Sequence, residues 1–327
     1  MRRPLIAGAA GVAALVGLGP RARVREPESV PTAASHGVPA ELVELNDWLA
    51  ARESALGDVY PHATKTVVWA HPEAPAPTER VVLYLHGFSA TRQETRPLAD
   101  SVAARLDANL FYARLAGHGR PGEAMAQVEA GDWLDDVGEA MAVAERLGRR
   151  VVLIGTSTGA TLALWAASRP EWSERIDALV LISPNLAPAD PAAELLLWPW
   201  GNVILRAVVG GEREWEPVNE AQARYWTTRY PSRVLLPMMA LVDFVRALPL
   251  ERVRVPVLVV HSSDDQVVSV PAMQDMFARL GSPMRREVVV DDSGDPAHHV
   301  LAGDALSPGT TMRLVEEIVE FVGAPQG

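Results

Sequence analysis

The segment 150–167 constrains the fold of this chain more than any other. It opens with R-V-V-L-I at 150–154, a run of β-branched and apolar residues typical of a strand that is buried on both faces. The residues G-T-S-T-G follow at 155–159, and an Ala/Leu-rich stretch typical of a helix continues to Ala167. A strand, a sharp turn with one central serine and a helix therefore come in immediate succession. That order favours a sheet whose strands are connected by helices.

The same alternation extends over most of the chain. We predict strands at 66–69, 80–86, 109–114, 150–154, 178–182, 255–261 and 286–290. We predict helices at 39–56, 97–106, 133–147 and 160–167, and a final helix around 314–322. This pattern predicts an α/β fold with a doubly wound, mostly parallel sheet, whose ligands bind at the carboxyl ends of the strands.

The interval 185–248 breaks the alternation and is too long for a simple connection. We interpret it as a helical cap inserted into an α/β core made of residues 61–184 and 249–327. The interval holds Trp198, Trp200, Trp215 and Trp226. Aromatic side chains in a cap suit a greasy substrate, and they equally suit the cap's own core or its contact with the main domain.

The N-terminal residues bear on localisation. Arg2 and Arg3 precede an apolar, Ala/Gly-rich run at 4–19, which predicts a signal sequence or N-terminal membrane anchor over residues 1–24. Export to the periplasmic or extracellular side follows from that interpretation. The run is short for a membrane span, so an unstructured start and a cytoplasmic protein form the alternative. Residues 25–60 are predicted to form a linker and an N-terminal helix.

Charge and cysteine content exclude several function classes. The formal net charge is −11, and no concentrated basic surface is visible, which argues against a nucleic-acid partner. The chain has no cysteine, so thiol nucleophiles, thiolate metal sites and disulfides are excluded. No cofactor or metal is implied by any motif.

The G-T-S-T-G turn points to nucleophilic catalysis. A G-x-S-x-G turn between a strand and a helix holds its serine in a strained conformation and presents the hydroxyl at the sheet edge. Gly155 and Gly159 remove side chains where the strand and the helix approach closely. The helix N-terminus supplies N–H groups for a developing oxyanion. Ser157 is therefore the predicted nucleophile, and an ordinary glycine-bounded turn is the alternative.

Three motifs together resemble the monoacylglycerol lipase and bacterial carboxylesterase branch of the α/β-hydrolases. They are L-Y-L-H-G-F at 83–88, G-H-G at 117–119 and the serine turn, and the resemblance extends from about Lys65 onward. It implies an oxyanion hole formed by the backbone N–H groups of Phe88 and Thr158. Gly87 then permits close approach, and His86 and His118 are expected to support the site structurally.

The resemblance also implies an acid and a base, in the chain order Ser, acid, His. The acid follows the strand V-L-V-V-H, where Asp265 fits the family pattern better than its neighbour Asp264. The base follows the last strand, where His299 before Val-Leu fits better than His298. A metal site at this histidine pair is disfavoured, because no further ligands accompany it.

These residues predict a serine hydrolase that forms an acyl-enzyme intermediate from a small or lipid-like ester. An amide or peptide hydrolase and an acyltransferase use the same triad and remain alternatives, with Glu212, Glu214 and Glu216 as candidates for binding a substrate amine. A non-catalytic ligand-binding protein of the same fold is a further alternative. The apolar N-terminus and the tryptophan-rich interval also leave membrane association open.

Overall fold

The computed structural model describes residues 19–26 and 33–324, and its centre is a seven-stranded sheet. The strands of this sheet are β1 (Thr66–Val68), β2 (Thr78–Leu85), β3 (Asn109–Tyr112), β4 (Gly148–Thr156), β5 (Ile176–Ile182), β8 (Val257–His261) and β9 (Arg285–Val289). They lie in the order β1-β3-β2-β4-β5-β8-β9. β1 runs antiparallel to β3, and the other neighbours are parallel.

Helices cover both faces of the sheet. The α-helices are α1 (Ala33–His36), α2 (Leu45–Ser54), α3 (Leu98–Arg105), α4 (Ala130–Leu147), α5 (Thr158–Ala167), α6 (Pro170–Ser173), α7 (Gly201–Val208), α8 (Glu220–Tyr225), α9 (Leu235–Arg246), α10 (Val270–Arg279) and α11 (Pro308–Gly323). Shorter 3₁₀ helices lie at Leu42–Glu44, Gly122–Gln127, Pro191–Leu197, Ser232–Val234 and Leu250–Arg252.

The side chains of β2 alternate between two apolar layers, as they must in a strand buried on both faces. Leu83 and Leu85 pack with α4 and α5 on one face. Val82 and Tyr84 pack with α3 and α11 on the other. This arrangement confirms the predicted doubly wound α/β fold.

The order of the strands fixes where a ligand can bind. The chain passes from β2 to β3 on one side of the sheet, and then returns to β4 on the other side of β2. The carboxyl ends of β2 and β4 therefore flank the point where the winding reverses, which is the usual ligand site of such sheets. The H-G-F turn follows β2, and the serine turn follows β4.

Buried ion pairs attach α2 to the core. Both Nε and Nη2 of Arg114 donate to the carboxylate of Glu53, at 2.8 and 2.7 Å. Lys65 and Arg52 pair with Glu139 of α4. Because each buried charge has a hydrogen-bonded partner, the cost of desolvating it is offset.

The interval 185–248 contains α7, α8, α9 and a small hairpin. The hairpin pairs β6 (Glu212–Glu214) with β7 (Arg229–Pro231), and no sequence pattern predicted it. α9 packs against the main core through Leu241 and Val245, whereas α7 packs through Leu205 in a separate apolar cluster with Met239. The Pro20 carbonyl accepts a hydrogen bond from the Trp200 N–H at 2.9 Å.

Most of the segment predicted to be a signal sequence or anchor lies outside the described residues. Within the described ranges, no helix combines the length and the apolar character needed to cross a bilayer. The prediction at 1–24 therefore stays a prediction.

Candidate active site

Ser157 occupies the turn between β4 and α5 in a strained conformation. Its φ and ψ angles are 54° and −117°, a region that non-glycine residues enter rarely. The Ser157 N–H donates to the Ile182 carbonyl at 2.8 Å, which ties the turn to the end of β5. Strain of this kind persists only where the surroundings fix the backbone, and it is common at functional sites.

Two glycines allow the turn to form. A Cβ on Gly159 would lie 2.1 Å from the Leu85 carbonyl oxygen, and one on Gly155 would lie 2.4 Å from the Gly159 oxygen. Both contacts involve backbone atoms, so no side-chain movement relieves them. The sequence G-x-S-x-G is thus required here by the close approach of β2, β4 and α5.

The H-G-F turn lies directly beside the serine. A Cβ on Gly87 would lie 3.3 Å from the Ser157 Cβ. The His86 ring holds this turn, because Nδ1 donates to the Gly87 carbonyl at 2.9 Å and Nε2 accepts from the Leu115 N–H at 3.1 Å. Burial lowers the pKa of His86 to about 3, so the ring is neutral and serves as a structural link.

Phe88 and Thr158 adjoin Gly87 and Ser157, whose positions approach each other closely. Within the described part of the chain, neither of their backbone N–H groups donates to another residue. The Phe88 ring is held edge-on by His118, Trp133 and Tyr230, with centroids 5.5–6.2 Å apart. Both amides therefore keep a hydrogen bond to donate.

His118 is also structural. Its Nδ1 donates to the Ala116 carbonyl at 2.9 Å, and Trp133 Nε1 donates to the same oxygen at 3.1 Å. Burial lowers the pKa of His118 to about 4, so this ring is neutral as well.

The sequence analysis did not identify Glu94, which is fully buried behind the turn. Its Oε1 accepts from the Gly87 N–H at 2.7 Å and from the Tyr84 hydroxyl at 2.8 Å. Tyr84 in turn contacts the Thr156 hydroxyl at 3.0 Å, one residue before the nucleophile candidate. Burial raises the pKa of Glu94 to about 7, although the Gly87 and Tyr84 hydrogen bonds and the charge of His299 oppose the rise.

His299 and Asp265 meet at the same sheet edge. The His299 Nδ1 and the Asp265 Oδ2 are 2.8 Å apart, and the Asp265 side chain is 1% exposed. The second oxygen, Oδ1, accepts from the N–H groups of Val267 and Val268. Asp265 is thus held by the backbone on one side and faces the imidazole with the other.

The surroundings of His299 favour its protonated form. Burial lowers its pKa, but the hydrogen bond and the charge of Asp265, and then the charges of Asp295 and Glu94, outweigh burial. The net result is a His299 pKa above its usual value. Asp295 also fixes the backbone, since it accepts from the N–H groups of His299 and Val300.

The alternative candidates for the acid and the base, Asp264 and His298, lie in different surroundings. Asp264 is exposed, and its N–H donates to the Ser262 hydroxyl at 3.1 Å. His298 has a φ of 53°, and its buried Nδ1 has no hydrogen-bond partner among the described residues. Neither side chain makes a contact like that between His299 and Asp265.

The interval 185–248 contacts the turn that carries Ser157. Ser157 and His299 are each only 8% exposed. The Asn185 amide nitrogen lies 3.4 Å from the Thr158 hydroxyl and 3.6 Å from the Met238 sulfur of α9. Ser183, at the end of β5, donates its hydroxyl to the His299 carbonyl at 2.7 Å.

Other residues singled out by the sequence lie elsewhere. Glu212, Glu214 and Glu216 are exposed, and Glu212 pairs with Arg229. No cluster of three or more His, Asp or Glu side chains among the described residues is arranged to hold a metal ion.

Comparison with known proteins agrees with the fold and the motifs. Residues 76–294 match the family model of α/β-hydrolases described as serine aminopeptidase, S33. The chain is 26% identical over 248 residues to a thermostable monoacylglycerol lipase of Bacillus sp. (strain H-257). That alignment covers 75% of this chain and 91% of the Bacillus enzyme.

Solved structures show the same fold. One described under LipS and LipT, two metagenome-derived lipolytic enzymes, has a TM-score of 0.66 and 24% identity, covering 81% of this chain and 98% of that one. A soluble variant of monoglyceride lipase from Saccharomyces cerevisiae, in complex with a substrate analogue, has a TM-score of 0.60 and 12% identity. That match covers 80% of this chain and 91% of the yeast chain.

Proposed function

Because this chain belongs to the α/β-hydrolase family described as serine aminopeptidase, S33, we propose that it is a serine hydrolase that cleaves carboxylic esters. The observation that carries the proposal is the 2.8 Å contact between His299 Nδ1 and Asp265 Oδ2, made at the sheet edge that also bears the strained Ser157. A nucleophile, a base and a residue that orients the base are the three parts of a triad.

The proposed mechanism assigns one role to each residue. His299, oriented by Asp265, takes the Ser157 proton through Nε2 as the hydroxyl attacks the ester carbonyl. The N–H groups of Phe88 and Thr158 bind the negatively charged oxygen of the tetrahedral intermediate. His299 then gives the proton to the leaving alcohol, and an acyl-serine remains. Water attacks this acyl-enzyme with the same base and releases the acid.

An ester is favoured over an amide on two grounds. Glu212, Glu214 and Glu216, the candidates for binding a substrate amine, are exposed, and Glu212 is engaged by Arg229. The relative with the highest identity described above is a lipase. The family description names an aminopeptidase, however, so peptide-like substrates belong in the test.

We also propose that the ester is lipid-like. Trp198, Val203 and Val208 of the interval 185–248 are 60%, 56% and 78% exposed. Exposed apolar surface is one mark of a site that binds another apolar body. Export or anchoring through residues 1–24 would bring the enzyme to lipids, and cell fractionation of the full-length protein tests it. Recovery wholly in the cytosolic fraction would contradict this part of the proposal.

Hydrolysis of p-nitrophenyl esters with acyl chains of increasing length tests the ester proposal. We expect turnover of these esters and little turnover of aminoacyl p-nitroanilides, with higher kcat/KM for medium or long chains than for acetate. A preference for the anilides would identify a peptidase of the same family instead. Folded protein that cleaves neither class would contradict a hydrolytic function.

The pH dependence of the same reaction reports on Glu94. The rate kcat/KM should rise with pH as His299 loses its proton, with a midpoint above the usual histidine pKa. Burial raises the pKa of Glu94 to about 7, and Glu94 interacts with His299. The rising part of the wild-type pH profile therefore reflects the titration of both groups. Glu94→Gln keeps an acceptor for the Gly87 N–H but removes the charge. In Glu94→Gln we therefore expect kcat/KM to rise with a single midpoint, the pKa of His299, shifted to lower pH by a fraction of a unit.

Glu316→Gln is the matched control, because Glu316 is an exposed carboxylate on α11. Its pH profile should coincide with the wild-type profile. If the midpoint in Glu94→Gln equals the wild-type midpoint, the charge of Glu94 does not act on His299.

A further inference from the structure

A cavity near the proposed ester site contains none of the triad candidates. Its volume is about 420 Å³, which is within the range of small-molecule sites. One wall comes from the core, through Tyr60, His62 and Thr91, and the opposite wall comes from α8 and the residues after it. Neither the ester chemistry nor the family motifs account for it.

The lining of this cavity is basic in an acidic protein. Arg120, Arg224 and Arg229 line it, and no Asp or Glu is among its lining residues in the described ranges. The chain as a whole carries a formal net charge of −11. A cavity with cationic walls raises the local concentration of anions.

The three arginines differ in how they are held. Arg120 and Arg229 are paired with Asp58 and Glu212, which orients their guanidinium groups and offsets their charge. Arg224 stacks over the Tyr225 ring at 5.6 Å and makes no ion pair with an acidic residue in the described part of the chain. Arg224 therefore supplies the uncompensated charge of the cavity.

The His62 ring forms part of the same cavity wall. It is held between Tyr60, stacked at 5.6 Å, and Tyr225, edge-on at 5.3 Å. These contacts give the cavity an aromatic wall beside Arg224.

We propose that this cavity binds the carboxylate or phosphate group of a small organic molecule. Arg224 would pair with the anion, and the rings of Tyr60, Tyr225 and Trp226 would contact the organic body. The anion is either part of the ester substrate or part of a separate ligand.

The cavity is joined to the proposed ester site. The Thr227 N–H donates to the Ser89 carbonyl at 2.7 Å, one residue after the proposed oxyanion donor Phe88. Trp226 packs against a small apolar cluster that contains Val300, the residue after His299. A ligand in the cavity would thus contact segments that also position the oxyanion hole and the base.

Isothermal titration calorimetry with benzoate and phenyl phosphate tests the proposal without any enzymatic reaction. We expect saturable binding of at least one of these anions and none of benzamide, which has the same shape as benzoate but no charge. Arg224→Gln should weaken binding about tenfold or more, because a charge-assisted hydrogen bond is lost. Arg224 is exposed, so this substitution leaves the fold intact.

Arg206→Gln is the matched control. It removes an exposed arginine of α7 outside the cavity and should keep the wild-type affinity. Equal binding of benzamide, no binding of either anion, or wild-type affinity in Arg224→Gln would overturn the proposal.

Kinetics then separate the two sources of the anion. If the substrate carries it, Arg224→Gln raises KM for p-nitrophenyl hemisuccinate but not for p-nitrophenyl butyrate, and phenyl phosphate competes with the hemisuccinate. If a separate ligand carries it, KM for both esters is unchanged although calorimetric binding is weakened. The calorimetric result does not depend on hydrolysis of either ester. Failure of the ester proposal can therefore be distinguished from failure of the anion-binding proposal.

Discussion

Ser157→Ala is expected to lower kcat for a p-nitrophenyl ester by about 10⁶-fold, the loss seen when a triad serine is removed from a serine hydrolase. The physical reason is that alanine has no hydroxyl to attack the carbonyl, so the acyl-enzyme cannot form. The Ser157 side chain makes no capping hydrogen bond to α5, so its removal should leave thermal stability close to wild type. Ester hydrolysis and thermal unfolding of both proteins check this.

Ser173→Ala is the matched control for this variant. Among the described residues, the Ser173 hydroxyl bonds only to the Pro170 carbonyl of its own short helix, so kcat should not change. Retention of more than a small fraction of the wild-type rate in Ser157→Ala, with the fold intact, would contradict its role as nucleophile.

Asp265→Asn is expected to lower kcat by about 10⁴-fold, as the corresponding change does in a known triad. The amide oxygen of the introduced side chain can still accept from the Val267 and Val268 N–H groups, which places its NH₂ against His299 Nδ1. Nδ1 must then accept a hydrogen bond, and the proton moves to Nε2. An imidazole protonated at Nε2 cannot take the Ser157 proton.

Asp264→Asn is the natural control, because Asp264 is the adjacent acid and is exposed. We expect wild-type kcat for this variant. A large loss in Asp264→Asn together with near-normal activity in Asp265→Asn would exchange the roles of the two residues.

Much of the fold follows from local patterns along the chain. The runs V-V-L-Y-L and V-V-L-I predict buried strands, because continuous β-branched and apolar residues need burial on both faces. β2 and β4 contain these runs, and β4 extends beyond its predicted bounds to Gly148 and Thr156. Strand ends depend on pairing with neighbours, which a single segment does not encode.

Some elements were not predicted. α10 begins after Ser269, whose hydroxyl accepts from the Ala272 N–H, and only its Met273 and Met276 are buried. The helix predicted at 39–56 is shorter, since a 3₁₀ turn precedes α2 and the helix ends at Ser54. β6 has only exposed, charged residues, and β7 is a three-residue strand with Tyr230 buried, so neither is long enough to show an alternation.

Some residues around the proposed triad could be identified from the sequence, and others could not. Ser157 and the H-G-F turn lie in short contiguous motifs, so their sequence context is sufficient to single them out. Glu94 could not be found by that route, because its importance comes from burial and from accepting the Gly87 N–H seven residues earlier. A polar residue in the loop after an H-G-F turn is the only sequence indication of it.

The central claim is that Ser157 is an activated nucleophile, and covalent labelling tests it most directly. We would incubate the folded protein with a fluorophosphonate, measure the intact mass and map the modified peptide. We expect one adduct per chain, located on Ser157, that forms much more slowly in Asp265→Asn and is absent in Ser157→Ala. No adduct on folded wild-type protein, or an adduct on another serine, would contradict it.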